Sequence, residues 1–85
     1  MEFDWDDANI GHIGRHGVSP EEVEQALANK PLAVVAEQAR SGEKRVLCAG
    51  FTNDNRPLQF VYTIRQGKIR VITAHTAHKK IRGKL

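Results

Sequence analysis

Residues 58–74, LQFVYTIRQGKIRVITA, decide the fold of this chain. Apolar residues occupy every second position from Leu58 to Ile64, which is the period of a β-strand with one buried face. Gln66-Gly67 follows at once and is typical of a two-residue hairpin turn. Lys68 to Ala74 then returns as a second strand. The stretch therefore predicts a β-hairpin.

Two further strands are expected upstream of this hairpin. Leu32 to Glu37 is a short apolar run, and Arg45 to Phe51 is the next segment with strand character. Ser41-Gly42 lies between them as a turn signal, and Thr52 to Pro57 forms a loop before the hairpin. Together these segments predict an antiparallel meander.

Helix signals come before the strands. Asp6 or Asp7 can cap a first helix running toward His16. In that helix Ile10 and Ile13 are three residues apart and are expected to share the buried face. Gly17 is expected to stop it.

The second helix has the clearer start. Ser19 is the expected N-cap, Pro20 the first helical residue, and Glu22 completes a capping box. Val23, Ala26 and Leu27 give its apolar stripe, and Asn29-Lys30-Pro31 ends it.

The order of elements predicts one α+β domain over residues 1–85. It begins with a short strand in which Phe3 and Trp5 alternate with acids. Two helices then pack on one face of the antiparallel meander. From His75 onward we expect a short basic helix or tail.

Composition favours a folded, cytoplasmic protein. Of the 85 residues, 40% are hydrophobic and 27% charged, which is typical of a folded domain. No apolar run approaches the roughly 18 residues of a membrane span, so no membrane association is expected. The single Cys48 excludes an internal disulfide framework and a zinc site built from several cysteines.

The charges are divided along the chain. Residues 1–43 contain 9 acidic and 3 basic residues, whereas residues 44–85 contain 1 acidic and 10 basic residues. A basic half favours a polyanionic partner. The alternative is that the two halves pair with each other.

The hairpin register concentrates part of the basic charge. A two-residue turn places Arg65 opposite Lys68 and Thr63 opposite Arg70, so three cations lie close together on one face. Either an anion binds there, or the cations protect a solvated edge strand from aggregation. Further basic residues follow the hairpin: Lys79, Lys80, Arg82 and Lys84.

Histidines are the candidate acid–base groups. His75 and His78 lie in a basic surrounding, which favours neutral imidazoles able to accept a proton. His12 and His16 are four residues apart, but nothing in the sequence brings the two pairs together, so no metal site is expected. Cys48 is expected to be a buried strand residue.

Several blocks resemble the BrnT family of type II toxins. The blocks are Phe3-x-Trp5-Asp6, Arg15-His16-Gly17-Val18-Ser19, Glu21-Glu22, Glu43-x-Arg45, Gly50, Val61-Tyr62-Thr63 and Ile69-Arg70-Val71-Ile72-Thr73-Ala74. The resemblance covers nearly the whole chain. It implies a RelE-like fold, ribonuclease activity, neutralisation by a BrnA-like antitoxin, and binding of promoter DNA only through the toxin–antitoxin complex.

The chain departs from this family at three places. His75 stands where the family usually has Arg, Ile81 where it tends to have Glu, and the closing aromatic residue is absent. The resemblance therefore implies either an active nuclease or a weakened or inactive relative that binds RNA or the antitoxin. A regulator that binds only proteins, through its acidic helices, is the third alternative.

The leading hypothesis is endonucleolytic RNA cleavage without a metal ion or cofactor. The 2′-hydroxyl attacks the adjacent phosphate, which requires a base, an acid and cations for the phosphorane. We assign charge stabilisation to Arg70 and Arg82 with help from Lys80, and acid or base chemistry to His75. Nucleic-acid binding is assigned to Arg65, Lys68 and Lys79.

Overall fold

The structure, a computed structural model, describes residues 2–38 and 42–84. Its elements in chain order are α1 Asp7–Gly14, α2 Pro20–Ala28, β1 Leu32–Gln38, β2 Lys44–Phe51, β3 Pro57–Arg65, β4 Lys68–Thr76 and α3 Lys79–Arg82. The four strands form one antiparallel sheet in the order β1-β2-β3-β4. The α+β class and the predicted meander are therefore confirmed.

The predicted hairpin register is confirmed as well. Arg65 pairs with Lys68 and Thr63 with Arg70. Gln66 and Gly67 have φ of 54° and 75°, the positive values that a tight turn of the right twist requires. The turn predicted at Ser41-Gly42 falls largely on residues 39–41, which lie outside the described residues.

A β-bulge in β4 changes which side chains share a face. Tyr62 pairs with Val71, but its neighbour Val61 pairs with Thr73, so Ile72 is an extra residue. Because of this residue, His75 pairs with Gln59 and Ala74 with Phe60. An unbroken register would have opposed His75 to Leu58 instead.

The hydrophobic core lies between the helices and one face of the sheet, here called the inner face. The helical side contributes Ile13, Val18, Val23 and Ala26, and the sheet contributes Cys48, Leu58, Phe60, Ile69, Val71 and Ala74. This confirms that both helices pack on one sheet face. The opposite, outer face carries three cross-strand rows: Arg45–Thr63–Arg70, Leu47–Val61–Thr73 and Ala49–Gln59–His75.

Both helix starts follow the predicted capping chemistry. Asp6 caps α1 and forms a capping box with Asn9. Ser19 caps α2 with Pro20 in its first turn, and Glu22 completes its box. Gly17 has φ of 69° beyond the end of α1, where a residue with a β-carbon would be strained.

The predicted buried face of α1 is wrong at one position. Ile13 is fully buried, but Ile10 is 40% exposed. Asn9 is buried instead, and its side-chain amide donates to the carbonyl oxygens of Asp4 and Val71 at 2.9 and 3.2 Å. Two backbone acceptors thus replace the apolar contact that the spacing had suggested.

The chain ends also differ in detail from expectation. The N-terminal strand is a single parallel bridge from Phe3 to Ile69, flanked by two backbone hydrogen bonds. His75 was expected to begin a helix or tail, but β4 continues through it to Thr76. The short basic helix begins four residues later, at Lys79. None of the helices within residues 2–38 and 42–84 is long and apolar enough to cross a bilayer.

Candidate active site

His75 is half-buried on the outer face, one residue before the end of the pairing between β3 and β4. Its Nδ1 lies 2.8 Å from the carbonyl oxygen of Thr76. Because a carbonyl oxygen only accepts, this contact requires the hydrogen on Nδ1. The neutral ring is then left with Nε2 as its proton acceptor. This is the tautomer that a general base needs.

The C-terminal segment is held against the same end of the sheet. Ala77 is buried, and its N–H donates to the carbonyl of Pro57 at 2.9 Å. The N–H of His78 donates to Oε1 of Gln59, the cross-strand partner of His75. Arg82 donates to the carbonyl of Ala77 at 3.0 Å. These contacts hold the start of α3 at Gln59, the cross-strand partner of His75.

The cations of α3 face solvent. Lys79 and Lys80 are exposed, and neither forms an ion pair with any residue that the structure describes. Arg82 is exposed too, and its guanidinium donates to the carbonyl of Ala77. Of the predicted catalytic set, His75, Lys80 and Arg82 therefore come from adjoining segments at one end of the sheet.

Arg70 lies on the same face but toward the other end. Its partner Thr63 is four residues from Gln59, the partner of His75. At about 3.3 Å per residue this places the two positions roughly 13 Å apart. The predicted catalytic set is consequently divided between two places on the outer face.

Arg70 is already paired within the chain. Its guanidinium forms ion pairs with Asp6 at 3.0 Å and with Asp4 at 3.3 Å, and its side chain is only 17% exposed. Hydrogen bonding to Asp6 raises the pKa of Arg70, and the same bond is the main cause that lowers the pKa of Asp6. Two carboxylates on one guanidinium leave a net negative charge at this position.

The other two hairpin cations also have acidic neighbours. Arg65 lies 3.2 Å from Glu43, and Lys68 lies 3.8 Å from Glu2. Burial tends to raise the pKa of Glu43, but hydrogen bonds from Thr63 and Arg65 outweigh it and leave the pKa lowered. The hairpin cations therefore meet carboxylates from the acidic half of the chain.

The structure brings together histidines that the sequence could not connect. The ring of His16, at the end of α1, lies 6.0 Å from the ring of His75 between centroids, with the planes at 62°. The His12 ring lies 5.8 Å from that of His16 on its other side. Within the described ranges, no three such side chains are arranged to hold a metal ion.

Arg56 explains how His16 and His75 come to be neighbours, and sequence reasoning missed it. Its guanidinium donates to the carbonyl of Gly17 at 2.8 Å and to Oγ1 of Thr76 at 3.3 Å. These two residues directly follow His16 and His75. A loop arginine gives no sequence signal of this bridging role, because its partners are distant in the chain.

Glu22 completes this bridge from α2. Its carboxylate accepts from both the Ser19 backbone and Arg56, with the ion pair at 2.9 Å. Burial raises the pKa of Glu22, but these hydrogen bonds outweigh that effect, so its pKa is lowered overall. The bridge therefore links α1, α2, the β2–β3 loop and β4.

Cys48 is the buried strand residue that was predicted. It is 3% exposed within the core. Burial raises the pKa of its thiol, and hydrogen bonding with Tyr62 only partly offsets this. A buried thiol with a raised pKa is a poor nucleophile.

Comparison with known proteins agrees with the resemblance seen in the sequence. Residues 5–80 match the family described as "Ribonuclease toxin, BrnT, of type II toxin-antitoxin system". A search of curated proteins gives no match. Because the family match spans most of the 85 residues, the chain belongs to the BrnT family of ribonuclease toxins of type II toxin–antitoxin systems.

Proposed function

We propose that this chain is an endoribonuclease that cleaves RNA without a metal ion. The observation that carries the proposal is the setting of His75, with Nδ1 held by the Thr76 carbonyl and the exposed cations of α3 following it in the chain. Attack by a 2′-hydroxyl on phosphate requires a base and cations that stabilise the developing charge. We also propose that the fold is RelE-like.

In this proposal His75 removes the proton from the 2′-hydroxyl or protonates the leaving 5′-oxygen. Arg82 and Lys80 stabilise the charge that develops on the phosphorane. Arg70 stands too far along the sheet to share the same phosphate oxygens, so it binds a flanking part of the RNA strand. Lys79, the first residue of α3, adds a phosphate contact, and Arg65 and Lys68 at the hairpin turn bind more distant phosphates.

The test is cleavage of RNA by the purified chain in the presence of a chelator. Wild type should give 2′,3′-cyclic phosphate and 5′-hydroxyl ends, and His75→Ala should lose most of the rate, since a positioned acid–base group contributes about 10²–10⁴-fold. His78→Ala is the matched control, because the His78 side chain makes no capping hydrogen bond. Equal activity of the two variants would remove His75 from the site.

Arg70 has its own variant and control. Arg70→Ala should weaken RNA cleavage while the chain stays folded. Arg45 lies in the same cross-strand row, is exposed, and its guanidinium is 4.0 Å from the carboxylate of Glu43. Because this contact is long and exposed, Arg45→Ala should change activity little. If both variants lose activity equally, the effect is general surface charge and not a contact made by Arg70.

A second candidate is a relative that binds RNA or the antitoxin without cleaving. The observation that favours it is the engagement of Arg70 by Asp4 and Asp6, which compete with any phosphate for its guanidinium. This candidate predicts RNA binding that weakens steeply with salt and yields no cleavage products.

The toxin family implies an antitoxin protein as partner. We propose a BrnA-like antitoxin that covers the cations of α3, which would neutralise charge and block substrate together. We also propose that promoter DNA is bound only through this complex. Co-purification with the antitoxin, loss of RNA cleavage in the complex and a promoter gel shift that needs both proteins would test these points.

A further inference from the structure

We infer that His16 and His75 form one acid–base pair that flanks a single phosphate. The inference rests on the proposed ribonuclease function and adds the second proton-transfer group that the reaction requires. The sequence alone does not connect His16 with His75. The structure instead places its ring 6.0 Å from the ring of His75.

One phosphate can accept a hydrogen bond from each ring once the exposed His16 ring turns out of its edge contact with His75. The ring centroids are 6.0 Å apart in that contact, whereas two hydrogen bonds of about 2.9 Å to one phosphate need nitrogens roughly 6 Å apart. His16 is exposed, so its ring can rotate to adjust this distance, whereas the ring of His75 is fixed through Nδ1. One ring is thus preset and the other adaptable.

Contacts of neighbouring residues hold the two histidines in place. Arg56 donates to the residue after His16 and to the residue after His75, and its partner Glu22 anchors it to α2. β4 is an edge strand, which lets His75 on the outer face meet His16 although the helices pack on the inner face; the extra residue Ile72 sets the pairing of His75 with Gln59. Bulges next to active sites commonly re-aim a side chain in this way.

The two rings divide the proton transfers of one reaction. One neutral imidazole takes the proton of the 2′-hydroxyl as that oxygen forms its bond to phosphorus. The other, protonated, gives its proton to the 5′-oxygen as the bond from phosphorus to that oxygen breaks. The products are a 2′,3′-cyclic phosphate and a 5′-hydroxyl, and the two imidazoles end with their protonation states exchanged.

Other charged and titratable groups surround the pair and bear on its pH dependence. His12 contacts the ring of His16, and the Arg56–Glu22 ion pair lies against the residues that follow the two histidines; Arg15, His78 and Arg82 are the charged or titratable neighbours along the chain. His12 is the matched control for His16. It lies in α1, four residues before His16, and its ring neighbours that of His16.

The first experiment compares pH profiles of RNA cleavage for wild type, His16→Ala, His16→Gln and His12→Ala. Wild type should give a bell-shaped kcat/KM profile, as expected for one acid and one base. His16→Ala and His16→Gln should lower kcat by about 10²-fold or more and abolish one limb of the bell. His12→Ala should keep both limbs. Two intact limbs in the folded His16 variants would overturn the inference.

The second experiment needs no cleavage and separates this inference from the proposed function. The imidazole proton resonances are followed by NMR while a dinucleotide with a 2′-deoxy group at the cleavage position is added. Signals of His16 and His75 should shift together with one Kd, and each should lose its response in the variant lacking the other ring. If wild type cleaves no RNA, the nuclease proposal fails; a joint shift then still supports the shared phosphate site, and independent or absent shifts overturn it.

Discussion

Asp6 serves two elements at once. Its carboxylate caps α1 by accepting from the Asn9 backbone, and it also pairs with Arg70 on β4. The ion pair needs the ionised form, and the hydrogen bond from Arg70 is the largest cause that lowers the pKa of Asp6. One exposed side chain therefore joins the N-terminal segment to the sheet.

The lowered pKa of Asp6 gives a stability prediction at acid pH. A carboxyl group whose pKa is lower in the folded than in the unfolded chain stabilises the fold above its ordinary value of 3.8. That contribution is lost as the pH falls below 3.8 and through the folded-state pKa. Urea denaturation across this range should show a smaller loss for Asp6→Asn, which keeps a capping oxygen but cannot titrate.

Asp54→Asn is the control for this series, since Asp54 lies in the β2–β3 loop away from Arg70. Its acid dependence should follow that of wild type. An Asp6→Asn variant with the full acid loss of wild type would show that other groups carry the effect.

At the scale of elements, one substitution in its turn should stabilise the β3–β4 hairpin. Gln66 adopts φ of 54°, a left-handed conformation in which Asn is several-fold enriched and Gln is not. Gln66→Asn should therefore raise the free energy of unfolding by up to about 1 kcal/mol, because Asn-Gly is the favoured sequence for this turn. Gly67→Ala should lower the free energy of unfolding by about 1 kcal/mol, because alanine is strained at φ of 75°. An added β-carbon would meet no other atom within 4 Å, so the backbone conformation alone causes this loss.

Thermal and urea denaturation of the two variants measure this difference. The opposite signs are the useful feature, since a general effect of changing a loop residue would move both in one direction. An unstable Gln66→Asn variant would mean that the Gln66 side chain makes a contact worth more than the backbone preference.

Periodicity predicted the strands well and failed at the β4 bulge. The alternation around Phe60 and the Gln66-Gly67 turn fix the hairpin register locally. The sequence does not mark Ile72 as an extra residue, because its neighbours Val71 and Thr73 are also β-branched and any of the three could occupy a regular strand position. The outer-face position of His75 follows from that residue, so it could not be predicted from spacing alone.

The buried face of α1 illustrates the same limit. An apolar residue three positions from Ile13 was the natural choice, but Asn9 is buried because two backbone carbonyls, of Asp4 and Val71, happen to face it. The His16–His75 neighbourhood has the same origin, as it depends on how α1 meets β4. Tertiary contacts of this kind are set by packing and leave no mark in local sequence.

On the scale of the whole molecule, the divided charge of the chain resolves into two surfaces. The hairpin cations face carboxylates of the acidic half, which are Asp4, Asp6, Glu43 and Glu2. The cations Lys79 and Lys80 of α3 form no ion pair among the described residues. Pairing between the two halves is therefore confirmed at the hairpin, and a polyanionic partner at α3 stays a prediction.

This division predicts where salt dependence of RNA binding arises. Each phosphate contact with a single strand contributes about 0.7 to the slope of log K against log salt concentration. Lys79→Ala and Lys80→Ala should therefore each lower the slope by about that amount, with little effect on stability because both are exposed. Lys44→Ala is the control. Lys44 is exposed at the start of β2 and, because strand residues alternate between faces, lies on the face opposite to that of Arg45. A slope change of the same size for Lys44→Ala would mean that RNA is drawn by the net charge of the molecule and not held at α3.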